Sequence, residues 1–472
     1  MIITFKQNKI LVIFLVGVFF FAGCASMPTR RDFRRMFAPY FSRIDENPII
    51  IVPGIIGSRL ENTETGEIVW GALKVKQLFF LSERYNGALP IDKLPLRENR
   101  DKITSKGIID KYDLPIGILQ FTVYRELLDL FEEIGYKFGD IRHPKSGDNL
   151  YIFDYDWRRD NVENAILLAK RIENIKRLTG KPDQKFNLIC HSNGGLIARY
   201  YARYGDNDIL DQSPDFNITC AGSKNIKKLI LLGPPNLGSM PVFKYLHDGL
   251  DLRILNYPPY ILFTMPSIYQ LLPFREVSSF IDKDGNIMNV DLYDIKNWKK
   301  FGWSMYSKKM QSLTQSRYKS KFGGSWKEEF EKFEKTRDRF IAAALERADL
   351  FQKSLNFRLK KEGMCETILF GSDTEWTLNR AMLVPGKNGE WRTIFWQPHM
   401  RKEMFMPGDT IITRDSLLGI ADSEMAGKGW ADSPVHISFV LFVTQRHENI
   451  HKDPTFQNNL LHVLFSDYIS PD

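Results

Sequence analysis

Six short runs of almost unbroken apolar residues constrain the fold of this 472-residue chain more than any other feature. They lie at 48–52, 150–153, 186–190, 228–232, 367–370 and 436–443. A strand with one wet face alternates apolar and polar residues, whereas a strand covered on both faces reads as a continuous apolar run. Between two of these runs, Val162, Ile166, Leu167, Leu168, Ile172 and Ile175 recur at helical spacing, and Gly180 follows as a stop. Strands alternating with helices predict an α/β architecture, a mostly parallel sheet with helices on both faces. Apolar residues make up 43% of the chain, enough for such a core.

Two stretches interrupt the alternation. Residues 58–113 read as mixed and loop-like, with the apolar cluster Leu78, Phe79, Phe80 and Leu81. Residues 240–364 are rich in proline, aromatic and charged residues. They end in a predicted helix, opened by Ser325 with Glu328 as a capping box and striped by Phe330, Phe333, Ile341, Ala344, Leu345 and Ala348. Insertions at strand ends are where lids and contact surfaces are built. No internal repeat is present.

The N-terminus reads as an export signal. Lys6 and Lys9 precede an apolar run, 10–22, that is short for a membrane span. The run ends Phe21-Ala22-Gly23-Cys24, similar to a bacterial lipobox in which the cysteine carries the lipid. The expected organisation is a signal peptide over 1–23, a linker over 24–47 from a lipidated Cys24, and a catalytic domain over 48–472. An ordinary signal peptide or an uncleaved anchor is the alternative. Either way the mature protein leaves the cytoplasm, and a lipid on Cys24 would hold it on the periplasmic side of the envelope or at the cell surface. Arg30, Arg31, Arg34 and Arg35 could rest on anionic lipid or lie on a solvated linker.

The formal charge of +8 is spread among interspersed acids and bases and favours anionic surfaces such as membranes. With no zinc knuckle, RNA-binding signature or helix-turn-helix, nucleic acid is set aside. Cys190, Cys220 and Cys365 form neither a disulfide framework nor a metal motif. Cys190 falls in a buried run, and a Cys220–Cys365 bridge stays open.

The chemistry centres on the stretch 185–201, KFNLICHSNGGLIARYY, where an apolar strand turns abruptly into an apolar helix with Ser192 at the joint. A tight strand-to-helix turn lifts its central side chain above the sheet and needs small residues two before and two after it. Gly194 meets the second requirement, and Cys190 stands where Gly or Ala is usual. Helix capping is the plain alternative for this serine. As a nucleophile, Ser192 needs a base oriented by a carboxylate, and in the α/β-hydrolase fold these follow in the order Ser, acid, His. His447, just after the run HISFVLFV, is the preferred base, with His451 one turn later as its alternative. His191 adjoins the serine but is expected to point elsewhere. Asp409, in a turn between Gly408 and Thr410, competes with Asp373 for the acid. Two backbone amides are candidates for holding a developing oxyanion: Ile55 after Pro53-Gly54, and Asn193 after the serine.

These residues carry a resemblance to the lecithin–cholesterol acyltransferase family. Its motifs are similar to Val52-Pro53-Gly54 with Gly57 to Leu60, Tyr155-Asp156-Trp157-Arg158, His191-Ser192-Asn193-Gly194-Gly195, Gly233-Pro234-Pro235-Asn236 with Gly238-Ser239, Gly408-Asp409-Thr410, and His447 with Asp453. They run in family order from about residue 48 to the end. Asn193 replaces the usual Met or Leu, and 58–113 lacks the cysteines of the family's disulfide-held loop. The resemblance implies an α/β-hydrolase fold with a membrane-contact insertion at 58–113 and a cap over 240–364. It implies a triad of Ser192, Asp409 and His447, a buttressing role for the YDWR motif, and no metal or organic cofactor. The implied activity is acyl hydrolysis or O-acyl transfer on lipid esters, phospholipids first, at a membrane surface. Its competitors are an esterase for smaller esters and a non-catalytic lipid-binding lipoprotein on a hydrolase scaffold.

Overall fold

The computed structural model describes residues 32–71, 87–113, 120–211, 216–251, 256–358, 363–386, 389–421 and 433–466. The signal-like segment with Cys24, and the Leu78 to Leu81 cluster, lie outside the described residues.

Seven strands form one sheet: β1 Ile49–Val52, β2 Phe138–Gly139, β3 Leu150–Ile152, β4 Phe186–His191, β5 Ile226–Leu232, β6 Glu366–Gly371 and β7 Ile437–Phe442. Their order across the sheet is β7-β6-β5-β4-β1-β3-β2, and every neighbouring pair is parallel. The six apolar runs are six of these strands, within two residues at each end. Alternate residues point to opposite faces. Ile50, Val52, Leu188, Cys190, Leu229 and Leu231 enter one core with helices α2 (Asn161–Thr179), α3 (Asn193–Tyr204) and α4 (Trp326–Asn356). Ile49, Ile51, Ile189, Ile230, Leu232 and Ile368 enter the other, with α1 (Arg125–Glu133) and α5 (Pro454–Phe465). Each fully buried aliphatic side chain contributes about 1.5–3 kcal/mol, which is why the runs are apolar on both faces apart from residues near their ends such as Asn187, Lys228 and Thr367.

Helix α2 begins where Asp160 accepts the Val162 N–H at 2.7 Å and ends on Gly180 at φ 70°. The segment expected to form a cap carries α4 and a buried aromatic cluster in which Phe243 meets Trp303 edge-on at 4.9 Å and Phe280 stacks on Trp303 at 5.0 Å. The C-terminal carbonyls of α4 dock on α3: Arg199 donates to Leu355 O at 2.7 Å, and Arg203 to Ser354 O at 3.0 Å and Phe357 O at 2.9 Å. Two buried guanidiniums at a helix C-terminus meet the negative end of its dipole.

Three expectations change. The described part of 58–113 is not simply loop-like: Ser58–Asn62, Ile68–Trp70 and Ile103–Ile108 form an antiparallel three-stranded sheet. The capping box at Ser325 does not form. That residue sits in a 3-10 turn with φ −88° and ψ 4°, not the extended geometry of a cap, and its hydroxyl donates back to Phe322 O. Part of the expected linker is packed: Asp32 caps the helix Phe33–Phe37, and Phe37 lies edge-on to His462 of α5 at 5.0 Å. Cys190, Cys220 and Cys365 are free thiols. No helix among the described residues is long and apolar enough to cross a membrane.

Candidate active site

Strand β1 lies mid-sheet, and the chain builds first to one side of it (β2, β3) and then to the other (β4 to β7). At such a switch point the loops after the two central strands diverge and open a crevice at the carboxyl edge. The loop after β1 carries Pro53 and Gly54, and the turn after β4 carries Ser192.

Ser192 adopts φ 54° and ψ −123°, a conformation that residues with a Cβ rarely take and that costs about 1–3 kcal/mol. Its side chain caps nothing in α3. The strain is held from both sides. The Ser192 N–H donates to Leu232 O at 2.8 Å, and a Cβ on Gly194 would lie 2.6 Å from the carbonyl oxygens of Val52 and Pro53. Only glycine lets the β1 loop rest on the first turn of α3.

His447 Nε2 lies 2.9 Å from Ser192 Oγ, and His447 Nδ1 lies 2.7 Å from Asp409 Oδ2. A carboxylate only accepts, so Nδ1 carries the proton and the Nε2 lone pair faces the hydroxyl, which donates to it. The other oxygen of Asp409 accepts the N–H groups of Ile411 at 3.0 Å and Ile412 at 2.7 Å, while the His447 N–H donates to Asp409 O at 2.9 Å. Acid and imidazole are thus locked together by main chain as well as side chain. Asp409 is fully buried, and Ser192 and His447 are 7% and 8% exposed. Burial opposes a charged imidazole at His447, but the Asp409 carboxylate, by charge and hydrogen bond, outweighs it and raises the pKa above the ordinary histidine value. Gly233, at φ 56°, lies against the ring, where a Cβ would be 3.2 Å from its Cε1 and Nδ1.

The turn after β1 is pinned at one peptide group. The Pro53 carbonyl accepts the Tyr155 hydroxyl at 2.9 Å, and the Gly54 N–H donates to the Tyr124 hydroxyl at 2.9 Å. The Gly54 carbonyl accepts the Gly57 N–H at 3.1 Å, which leaves the Ile55 N–H with no protein partner among the described residues. The Tyr124 hydroxyl donates to His191 Nδ1 at 2.8 Å, so His191 donates from Nε2 to the His447 carbonyl at 3.2 Å. Burial first, and the neighbouring His447 and His451 second, hold the His191 pKa well below normal. The ring stays neutral and adds no second charge beside His447. A single chain of bonds therefore runs from the β1 loop through Tyr124 and His191 to the main chain of His447.

Of the sequence candidates, the structure brings Ser192, His447 and Asp409 together, with Asn193 and the Pro53–Ile55 turn beside them. It leaves Asp373 outside, partly exposed and 3.6 Å from Arg414. His451 donates to Val123 O and stacks on Tyr124 at 5.0 Å, and burial lowers its pKa to about 4. Asp453 caps α5 through the N–H groups of Thr455 and Phe456. The Asn193 side chain, which replaces the usual Met or Leu, exchanges two 2.9 Å hydrogen bonds with Asn161. His191 points away from the serine hydroxyl, as expected, but sequence reasoning missed Tyr124 and the bridge His191 makes to His447. Nothing near residue 124 announces a contact 70 residues away at Gly54.

A protein-family model for lecithin:cholesterol acyltransferase matches residues 110–356, a little over half of the chain. The match includes Ser192, while Asp409 and His447 lie beyond it. The chain is 28% identical over 171 residues to lecithin-cholesterol acyltransferase-like 4 of Arabidopsis thaliana, 33% of this chain and 30% of that protein. The match thus spans less than a third of that relative's length. Among solved structures, a Tle4–Tli4 complex aligns over 89% of this chain and 98% of its own at TM-score 0.50 and 14% identity, a likeness of fold. A lipase of Bacillus licheniformis, BlEst2 in mature form, aligns over 90% of this chain at 10% identity and TM-score 0.32. With its seven-stranded parallel sheet and the serine on a strained strand-to-helix turn, the molecule has an α/β-hydrolase fold, and the chain belongs to the lecithin:cholesterol acyltransferase family.

Proposed function

We propose that the protein is a serine acyl hydrolase or O-acyltransferase acting on lipid esters, with phospholipids as acyl donors. One observation carries this reading: a strained serine whose hydroxyl is 2.9 Å from an imidazole that is itself 2.7 Å from a buried carboxylate. As Ser192 Oγ attacks the ester carbonyl carbon, its proton passes to His447 Nε2. The carbonyl oxygen becomes an oxyanion facing the amides of Ile55 and Asn193. Asp409 fixes the tautomer and stabilises the imidazolium. The C–O bond to the leaving alcohol then breaks, His447 returns the proton to that alcohol, and the acyl group stays on Ser192. Water or a second alcohol, deprotonated by the same imidazole, releases it. Hydrolysis and transfer share every residue, and the dryness of the site decides between them.

Cys24 is proposed to carry a lipid that holds the exported protein at the membrane where such substrates reside. Incorporation of labelled fatty acid, abolished by Cys24→Ala, tests that part. A fluorophosphonate probe tests the catalytic part: labelling should appear in the wild-type protein and vanish in Ser192→Ala. A folded wild-type protein that stays unlabelled would favour a non-catalytic lipid binder. Incubation with labelled phospholipid vesicles, with and without a long-chain alcohol, identifies the acceptor.

A further inference from the structure

Between β6 and Asp409 the chain makes a two-stranded antiparallel ladder, Glu375–Leu378 against Phe405–Gly408. Its register pairs Trp376 with Pro407, Thr377 with Met406, and Leu378 with Phe405. Opposite and alternate positions share a face. Trp376, Pro407 and Phe405 therefore stand on one face, and Thr377 stands on the other. The Thr377 side is buried against the acid loop, where its hydroxyl accepts the Thr410 N–H at 2.9 Å.

The opposite side also carries Leu378, which is buried, but it is open at Trp376 and Pro407. Trp376 is 49% exposed, Trp396 is 55% exposed, and Trp396 packs edge-on to Phe405 at 5.3 Å. They are the only tryptophans in the exposed class among the described residues. Arg401 stacks over Trp376 at 4.7 Å, and Lys402 follows it. Both cations are exposed, and neither has a carboxylate partner among the described residues. Indole rings prefer the boundary between water and hydrocarbon, and adjacent unpaired cations complement anionic headgroups.

We propose that this outer face, formed by Trp376, Trp396, Phe405, Pro407, Arg401 and Lys402, docks on an anionic phospholipid surface. The proposal rests on the reading that the substrate is a lipid ester. It adds a surface distinct from the insertion at 58–113: one end of a two-stranded element rests on lipid while its other face holds the loop of Asp409. Docking there sets the carboxyl edge of the sheet, where Ser192 lies, against the membrane.

The test uses the full chain with phosphatidylcholine–phosphatidylglycerol vesicles whose acyl chains are brominated, which quench only tryptophans that reach the interface. Wild-type emission should fall by about a fifth, the share of two tryptophans among nine. The fall should be lost in the double variant Trp376→Phe, Trp396→Phe. Arg401→Gln with Lys402→Gln should weaken docking on the anionic vesicles about 25-fold, on roughly five-fold per cation, and leave neutral vesicles unaffected. Turnover of a monomeric short-chain ester should be equal in all three proteins, which checks folding. A wild-type protein inactive on every ester would refute the proposed function and leave the quenching readable. Equal fractional quenching of the wild type and the double phenylalanine variant overturns the lipid surface. A dimer that this variant dissolves would instead assign the face to a second copy of the chain.

Discussion

Tyr124→Phe should damage turnover far more than a buried ring losing one oxygen would suggest. The hydroxyl is 2.9 Å from the Gly54 N–H and 2.8 Å from His191 Nδ1, and the residue is 2% exposed, so water cannot readily replace it. Deleting the oxygen strands a buried donor and a buried ring nitrogen, for a stability loss of about 2–6 kcal/mol at about 1–3 kcal/mol each. It also frees one end of the Pro53–Gly54 peptide, which only Tyr155 then holds. If the turn rotates, the Ile55 amide leaves the oxyanion position, a change that lowers kcat by up to about 10²–10³-fold. KM should stay within a few-fold, because the substrate's ground state gains little from that amide. Steady-state kinetics on a monomeric ester, paired with urea unfolding, separates the two effects. Tyr155→Phe loosens the other end of the same peptide, so the two substitutions should be non-additive in kcat. A Tyr124→Phe protein that loses stability but keeps kcat within about two-fold would refute the positioning role.

Asp409→Asn should lower kcat about 10³–10⁴-fold by favouring the wrong histidine tautomer, while Asp373→Asn stays within about two-fold; equal losses would remove Asp409 from the site. Because the neutral imidazole is the base, kcat/KM should rise with pH through a midpoint above about 6.5, as the raised His447 pKa requires. In Asp409→Asn the midpoint should drop below the wild-type value, since burial then meets only the weaker opposing charge of Glu448; a midpoint that does not move would contradict the assignment. Gly194→Ala pushes a Cβ to 2.6 Å from two carbonyl oxygens and must displace the β1 loop or the elbow. It should lower kcat by ten-fold or more, because sub-ångström misplacement of a reacting group carries penalties of that order, and full activity in this variant would show the contact to be soft.

The central sheet was legible because its inner strands are buried on both faces, so that Ile49 to Val52 or Phe186 to Cys190 need no polar alternation to interpret. The small sheet at 58–113 was not. Its strands are three to six residues long, and Ser58–Asn62 mixes a buried serine and leucine with arginine, glutamate and asparagine. At Ser325 the local pattern matched a capping box, but the preceding helix, Lys308–Phe322, runs almost directly into α4 and leaves no extended residue to cap. The serine at the elbow announced itself through the strand before it and the glycines after it. Asp409 was harder, because a Gly-Asp turn is common; apart from the family resemblance, it is the tertiary contact with His447 that distinguishes it from Asp373. Tyr124 and the role of His191 were invisible, since both depend on segments that converge only in the fold.

Intact-mass analysis of protein quenched in acid during turnover of a phospholipid reports most directly on the central claim. A mass increase equal to one acyl group should appear, mapped by peptide fragmentation to Ser192 and absent from Ser192→Ala, which should also be inactive. Turnover without an adduct at Ser192, sustained by the Ser192→Ala protein, would contradict it.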